Sequence, residues 1–225
     1  MKISYNWLRE YLDFDAGTEE LSAILTGLGL EVEGIEEWES ISGGMQGVVI
    51  GRVLTCERHP DADRLSVTTV DAGGPEPLQI VCGAPNVAAG QVVAVALPGA
   101  SVFHGDERFE IKRSKIRGQL SEGMICAEDE LGMGTDHEGI MVLDSSARPG
   151  TAAADYFGVV RDTVFEIGLT PNRIDCSSHF GVARDLAAFF NLRNPVMARL
   201  PGVSAFQPGG ARERAIEVVV EDHEA

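Results

Sequence analysis

Between Phe109 and Ala127 the chain reads FEIKRSKIRGQLSEGMICA. Lys112, Arg113, Lys115 and Arg117 crowd together there, with Glu110 as the neighbouring acid. Such a cluster suits the binding of phosphates or other anions, because fixed positive charges attract them and Arg and Lys donate hydrogen bonds to their oxygens. If Ile111–Ile116 is a strand, successive side chains point to opposite faces, so Arg113, Lys115 and Arg117 share one side while Lys112 shares the other with Ser114. Three cations on one face repel each other unless an anion visits. A sheet edge kept basic to prevent edge pairing would look the same. Charge alone leaves both readings open.

Other chemistry-bearing residues form weaker patterns. Cys56 with His59, and Cys176 with His179, have the C-x-x-H spacing of half a zinc site, but neither pair has further ligands nearby. His59 precedes Pro60 and reads as a turn residue, and His104, His137 and His223 are isolated. Glu128, Asp129 and Glu130 are successive, so they cannot easily all face one ion and read as a solvated helix end. Asp175 and His179 stand four apart, the spacing of a local hydrogen bond at a helix end. The serine between Gly118 and Gly123 has the wrong spacing for a nucleophile elbow. Gly132, Gly134 and Gly139 match neither common phosphate-loop pattern. The sequence therefore predicts no catalytic, metal or cofactor residue.

These residues sit in a strongly acidic chain of 225 residues, net −17. Residues 44–150 hold nine basic and fifteen acidic side chains, net −6, so any nucleic-acid contact must be local to the Arg113 patch or shared with another subunit. An apolar fraction of 44% permits a sizeable core. No apolar run is long enough for a membrane helix. MKISYNWLREYL lacks the apolar segment of a signal peptide, and four widely spaced cysteines predict reduced thiols and a cytoplasmic location.

The elements that must carry the patch change along the chain. Ser4 is placed to cap a helix with Trp7, Leu8, Tyr11 and Leu12 on one face, and Thr18 to cap a second. In that second helix Leu21, Ile24, Leu25 and Leu28 make a stripe, with Gly29 as its stop. Leu30–Glu37 reads as a strand, and the small-residue stretch Ser40–Gly47 as a linker. Short β-branched runs then alternate with turn residues from Val48 to Leu143, with one helical turn at Ala127–Leu131. No helix there is long enough for a crossover, so the pattern predicts a small antiparallel barrel or sandwich. Thr163–Leu169 reads as another strand. Ser178 is placed to cap a helix that carries Val182, Leu186, Phe189 and Phe190. Residues 194–214 read as a linker and Ile216–Val220 as a strand, which suggests a piece of a longer protein.

The two flanks each leave an apolar stripe. Trp7, Leu8, Leu21, Ile24, Leu25 and Leu28 lie on one; Phe165, Ile167, Val182, Leu186 and Phe190 lie on the other. Burying each large side chain is worth roughly 1.5–3 kcal/mol, so the flanks should pack together with the barrel inserted between them. The expected fold class is α+β. A discontinuous α/β domain of residues 1–39 plus 152–192 carries an inserted antiparallel β-barrel of residues 40–151, and residues 193–225 begin a further segment. Ser40 and Thr151 should then be neighbours, and the strands near Val32 and Phe165 should share a sheet.

Three stretches together carry a resemblance. His59-Pro60-Asp61-Ala62-Asp63-Arg64-Leu65, then Val81-Cys82-Gly83-Ala84-Pro85-Asn86, then Ser114-Lys115-Ile116-Arg117-Gly118 with Ser121-Glu122-Gly123-Met124, resemble the EMAP-like tRNA-binding OB-fold module. Asp61 stands where that module often has asparagine. The flanks MKISYNWLREYL and Leu169–Asp175, with His179–Ala188, resemble the bacterial phenylalanyl-tRNA synthetase β subunit. The resemblance implies tRNA as a partner, with Arg113, Lys115, Arg117, Asn86 and Ser121 as tRNA-binding residues. It also implies a catalytic α subunit in an α2β2 enzyme, to which ATP and magnesium belong, and no cofactor in this region. The rival expectations are a packing module that binds little RNA, a free-standing tRNA-binding protein and an editing hydrolase.

Overall fold

The structure, a computed structural model, describes residues 1–104, 107–192 and 195–204. The strand expected at Ile216–Val220 lies outside them. Strand β1 (Lys2–Ser4) runs straight into helix α1 (Tyr5–Tyr11), because the Ser4 hydroxyl accepts the Trp7 N–H at 2.9 Å and so starts the helix. Helix α2 spans Thr18–Gly27 and opens on Gly17, not on Thr18, whose hydroxyl makes no cap bond. Glu19 and Glu20 favour its positive end, and Gly29, at φ 80°, lets the chain leave it. Strand β2 (Glu31–Glu39) follows.

Five strands come next: β3 (Val48–Arg58), β4 (Ser66–Asp71), β5 (Leu78–Cys82), β6 (Val92–Ala96) and β7 (Ser101–His104). After them lie β8 (Glu107–Glu110), β9 (Ser114–Ile116), β10 (Gln119–Ser121), β11 (Met124–Ile125) and β12 (Val142–Leu143). The chain ends its described part with α3 (Ala153–Tyr156), β13 (Arg161–Gly168) and α4 (His179–Phe190). Among the described residues no helix is long and apolar enough to cross a membrane.

The chain divides into two compact units, one of Met1–Gly34 with the described residues from Phe165 on, the other of Ile35–Val164. The divisions fall inside β2 and β13, which are neighbours in a three-stranded sheet of order β1-β13-β2. In the first unit Leu8, Leu12, Leu21 and Leu25 share one core with Phe165, Ile167, Val182 and Leu186. Trp7 departs from the expected stripe. It is 52% exposed and lies against the His179 ring, with centroids 4.3 Å apart. A seven-residue helix buries one narrow face, and Leu8 and Leu12 already fill it. At the start of α4 the Ser178 hydroxyl accepts the Gly181 N–H at 3.1 Å.

The second unit is an antiparallel barrel sheet of order β11-β6-β3-β4-β5, with β12 also on β6. Strand β6, Val-Val-Ala-Val-Ala, is buried throughout. Val92, Ala94 and Ala96 enter one core cluster, and Val93 and Val95 enter another. Strand β3 serves two neighbours in turn: Val48–Arg52 pair with β6 and Arg52–Arg58 with β4, with a register shift between Val53 and Thr55 that bends it. At the ends of this unit Ser40 N–H donates to Val160 O, and Val160 N–H donates to the Ser40 hydroxyl, both at 2.9 Å. Ser40 is thus bonded to Val160, while Thr151 O accepts instead from Ile50 N–H at 2.8 Å. Strand β13 begins at Arg161, and its approach segment is the one that bonds to Ser40.

In the first unit Asp175 bonds to Arg173 rather than to His179, whose Nε2 accepts the Ser4 N–H at 2.9 Å. The carboxylates of Asp175 and Asp185 and the Cys176 sulfur lie within 4.8 Å of one another, a geometry open to a metal ion. The Arg173 guanidinium bonds to all three and also donates to Leu28 O at 3.0 Å. A fixed cation thus stands where an ion would. The bond from Arg173 holds the Asp175 carboxyl below its usual range, while burial pushes the Cys176 thiol up to about 12.

A carboxyl with a lowered folded pKa stabilises the fold fully above its unfolded value, and that contribution fades as pH falls through the lower folded value. Arg173→Gln is expected to cost about 1–3 kcal/mol in urea titrations at neutral pH. Its deficit relative to the parent should narrow as the pH falls below about 3.8 and through the lower value that Asp175 has in the folded parent, where the carboxylate is finally protonated in both proteins. A deficit constant from pH 6 to pH 2 would show that the Asp175 pair does not contribute.

Candidate nucleic-acid interface

Strands β9 and β10 form a hairpin with pairs Ser114↔Ser121, Lys115↔Leu120 and Ile116↔Gln119. Its two-residue turn is Arg117-Gly118, with φ of 46° and 89°. Positive φ at both central positions is the primed turn that matches the twist of two strands, normally filled by Asn-Gly. Arg117 therefore occupies a left-handed position that an L-residue with a Cβ adopts at a cost. The expected strand Ile111–Ile116 is broken. Ile111 is buried and exchanges backbone bonds with Gly99 and Ala100, so strand alternation restarts at Ser114. Arg113 precedes β9, Lys115 lies within it and Arg117 sits at the tip, so strand alternation does not place the three on one face. All three are exposed. Arg113 shares its charge with Glu122 at 3.5 Å, a pair too wet to contribute much stability.

What holds the hairpin is mostly buried. The Ser121 hydroxyl, on a residue 3% exposed, accepts the Val81 N–H at 3.1 Å and donates to Gly123 O at 3.0 Å. Gln79 Nε2 donates to Leu120 O at 2.8 Å, and Glu122 N–H donates to Gln79 O at 2.8 Å. These bonds cover the edge of β5. Buried His59 reaches the same hairpin from the loop after β3. Its Nδ1 accepts the Asp61 N–H at 3.0 Å, so the proton sits on Nε2, which donates to Ile116 O at 3.1 Å. Cys56 is turned to Val87 O, 3.6 Å away, and does not join His59 in a metal half-site.

Asn86 acts as a second clamp. Its amide donates to Ile140 O and accepts the Ile140 N–H, both at 2.9 Å, which fastens residues 137–140 to the loop after β5. A Cβ on Gly139 would lie 2.4 Å from the Asn86 amide oxygen. Gly123 permits a close approach of a different kind, because a Cβ there would stand 2.7 Å from Ala96 O. Asn86 and Ser121 thus hold the scaffold, while Arg113, Lys115 and Arg117 face solvent. His59 and Gln79 went unnoticed as hairpin supports. The dipeptide His59-Pro60 reads as a turn from sequence, and nothing local points to Ile116, 57 residues on.

Beside the hairpin, β5 and β8 is a cleft of about 570 Å³ whose walls include Cys82, Phe109, Lys112, Ser114, Glu130 and His137. Phe109 is 40% exposed. Glu130 accepts the Ala127 N–H at 2.7 Å. His137 sits 3.0 Å from an Asp129 carboxylate oxygen, and that bond raises its pKa. Burial raises the thiols of Cys82 and Cys126, which makes them poor nucleophiles.

Because Arg117 combines a strained backbone with an exposed charge, Arg117→Asn separates the two. The variant is expected to stabilise the protein by about 1 kcal/mol, since Asn tolerates the left-handed turn. Its affinity for tRNA should fall at the same time. A lower melting temperature for the variant would show that the Arg117 side chain packs usefully at the tip.

Residues 48–152 match the family model described as "Putative tRNA binding domain". The whole chain is 56% identical over 227 residues to the phenylalanine–tRNA ligase beta subunit of Bacteroides thetaiotaomicron, covering 27% of that protein. It is 53% identical over 222 residues to the Porphyromonas gingivalis beta subunit, covering 99% of this chain and 27% of that one. It is 47% identical over 224 residues to that of Geobacter sulfurreducens, covering 100% of this chain and 26% of that one. The chain spans about a quarter of the length of these curated relatives. A match that runs end to end through caps, barrel and hairpin places this chain in the phenylalanine–tRNA ligase beta-subunit family, as its N-terminal region.

Proposed function

We propose that this chain is the accessory tRNA-binding and assembly region of a phenylalanine–tRNA ligase beta subunit, working in the cytoplasm with an alpha subunit that carries out aminoacylation. The observation that carries the reading is a rigidly supported hairpin that exposes Arg113, Lys115 and Arg117 inside the segment matched by the tRNA-binding family model. These three residues would meet phosphates. Asn86 and Ser121 would act through the scaffold, since their polar groups are already bonded to protein. ATP and magnesium would belong to the full enzyme, with no cofactor in this region. The discontinuous part, residues 1–39 plus 152–192, would carry the barrel of residues 40–151 as a module.

A second reading has one observation in its favour. The net charge of −6 over residues 44–150 opposes a polyanion, and a barrel that serves packing in an α2β2 assembly would tolerate it.

A titration with tRNA separates the two. If about three phosphates are neutralised, log K should fall with log salt at a slope of about −2 to −3, with affinity in the roughly 10⁻⁴ to 10⁻⁶ M range at physiological salt. Replacing Arg113, Lys115 and Arg117 together by Glu should remove binding. Undiminished binding by that variant would sink the assignment of the hairpin, and no binding by the parent chain would favour the packing role.

A further inference from the structure

The basic hairpin explains attraction to a phosphate backbone but leaves the neighbouring cleft without a role. We propose that this cleft receives one unstacked RNA base that carries an exocyclic amino group, with Phe109 as the stacking surface. This rests on the hairpin being an RNA-binding element.

Size comes first. A cleft of about 570 Å³ lies in the range that holds small ligands, and a base fits it where a duplex does not. Its position agrees. One wall is β5, the third strand of the barrel, and the other comes from the excursion between β6 and β11 that includes the hairpin. Small five-stranded barrels of this kind bind oligonucleotides on the face of the second and third strands and the loops beside them, and of that face the cleft takes in the end of the third strand, Val81 and Cys82, and the loop after it.

Chemistry then selects the ligand. The cleft is lined by Glu110, Glu130 and Glu138, and carboxylates repel phosphate while accepting N–H donors. Lys112 lines it as well, and Arg113, Lys115 and Arg117 continue along the hairpin next to it. Three carboxylates thus stand with Lys112 and His137 in the cleft, and the further cations follow along the neighbouring chain. A nucleotide fits that arrangement with its base inward and its phosphate outward. Phe109 is held in β8 by its pairing with Val102, which fixes its backbone while leaving part of its ring in solvent. An exposed ring beside a basic track is the usual stacking platform for single strands. The carboxylates favour adenine, cytosine and guanine, whose amino groups donate. Uracil offers one N–H between two carbonyl oxygens, which a carboxylate repels.

The test uses the whole chain and the heptanucleotides rA7, rC7 and rU7. Affinities are compared by anisotropy, and stacking is read from quenching of a 2-aminopurine placed in rA7. The parent should bind rA7 and rC7 several-fold tighter than rU7 and quench the 2-aminopurine. Phe109→Ala should weaken rA7 by about 5- to 100-fold, the range of one lost base–aromatic stack, without changing the salt slope that the cations set. Should that variant melt early, Phe109→Leu keeps apolar bulk without an aromatic face and should show the same loss. Glu110→Gln with Glu138→Gln should draw the rA7-to-rU7 ratio toward one. If Phe109 variants bind like the parent, and rU7 binds as well as rA7, the base site is refuted. The basic hairpin then stands if the triple Glu variant still loses tRNA, and falls if that variant retains it.

Discussion

One buried hydroxyl ties the barrel to its functional hairpin. Ser121 accepts from Val81 in β5 and donates to Gly123, so a single side chain satisfies a strand edge and fixes the chain leaving β10. Without it, the Val81 N–H would be a buried donor lacking this partner, and an unsatisfied buried polar group costs about 1–3 kcal/mol. The edge of β5 is covered by Gln79 and Glu122 in the same way. His59 then braces the opposite side of the hairpin through Ile116, which precedes the turn directly. The hairpin is therefore held at its base by Ser121 and near its tip by His59, and its cations are displayed from a stiff support. Stiffness matters here because ordering a loop on binding subtracts from an affinity that three exposed charges can only make modest.

Electrostatics explains why the support must project the charges. A body with a net −6 over residues 44–150 repels polyanions at long range, yet at physiological salt fields fade over about 8 Å. Cations at the end of a hairpin are screened from the body while remaining close to whatever touches the tip. Arg117 occupies the turn of the hairpin, and it holds a left-handed backbone there. A residue chosen for the turn alone would be asparagine, so placing an arginine there exchanges local stability for charge at the tip. Arg113 makes the opposite compromise. Its partner Glu122 holds it near the hairpin base and also neutralises part of its charge.

Local signals and the joint core of the two flanks were legible in the sequence, while individual long-range side-chain bonds were not. The Ser4 and Ser178 caps, the Gly29 stop and the leucines of α2 follow from neighbours within four residues, which is the range over which helix chemistry acts. The antiparallel barrel was legible because short β-branched runs without a crossover helix permit little else. Alternation failed as a guide at Ile111–Arg117. Ile111 is drawn into the core by Ala100 and Gly99, and Gly118 sets a turn that places Arg117 outside any strand face. Trp7 failed for a related reason, because the identity of an apolar residue does not say whether the narrow face of a short helix has room for it. Asn86 and Ser121 were singled out through the motifs that contain them. Their structural partners, Ile140 and Val81, lie 54 and 40 residues away, and sequence spacing carries no trace of such pairs.

The same long separations set a thermodynamic condition on the unit built from Met1–Gly34 and the residues from Phe165 on. Its core joins Leu8, Leu21 and Leu25 to Phe165, Val182 and Leu186 across the whole barrel sequence. Closing a flexible loop of roughly 120 residues costs about 4 kcal/mol in the length-dependent part alone, which is comparable to the margin of a small domain. The reciprocal bonds between Ser40 and Val160 change that count. Once the barrel is folded, the chain enters and leaves it at adjacent points, so the effective loop is short. β2 and β13 then start their pairing from residues already held side by side. The stability of the flanking core thus depends on the barrel having formed.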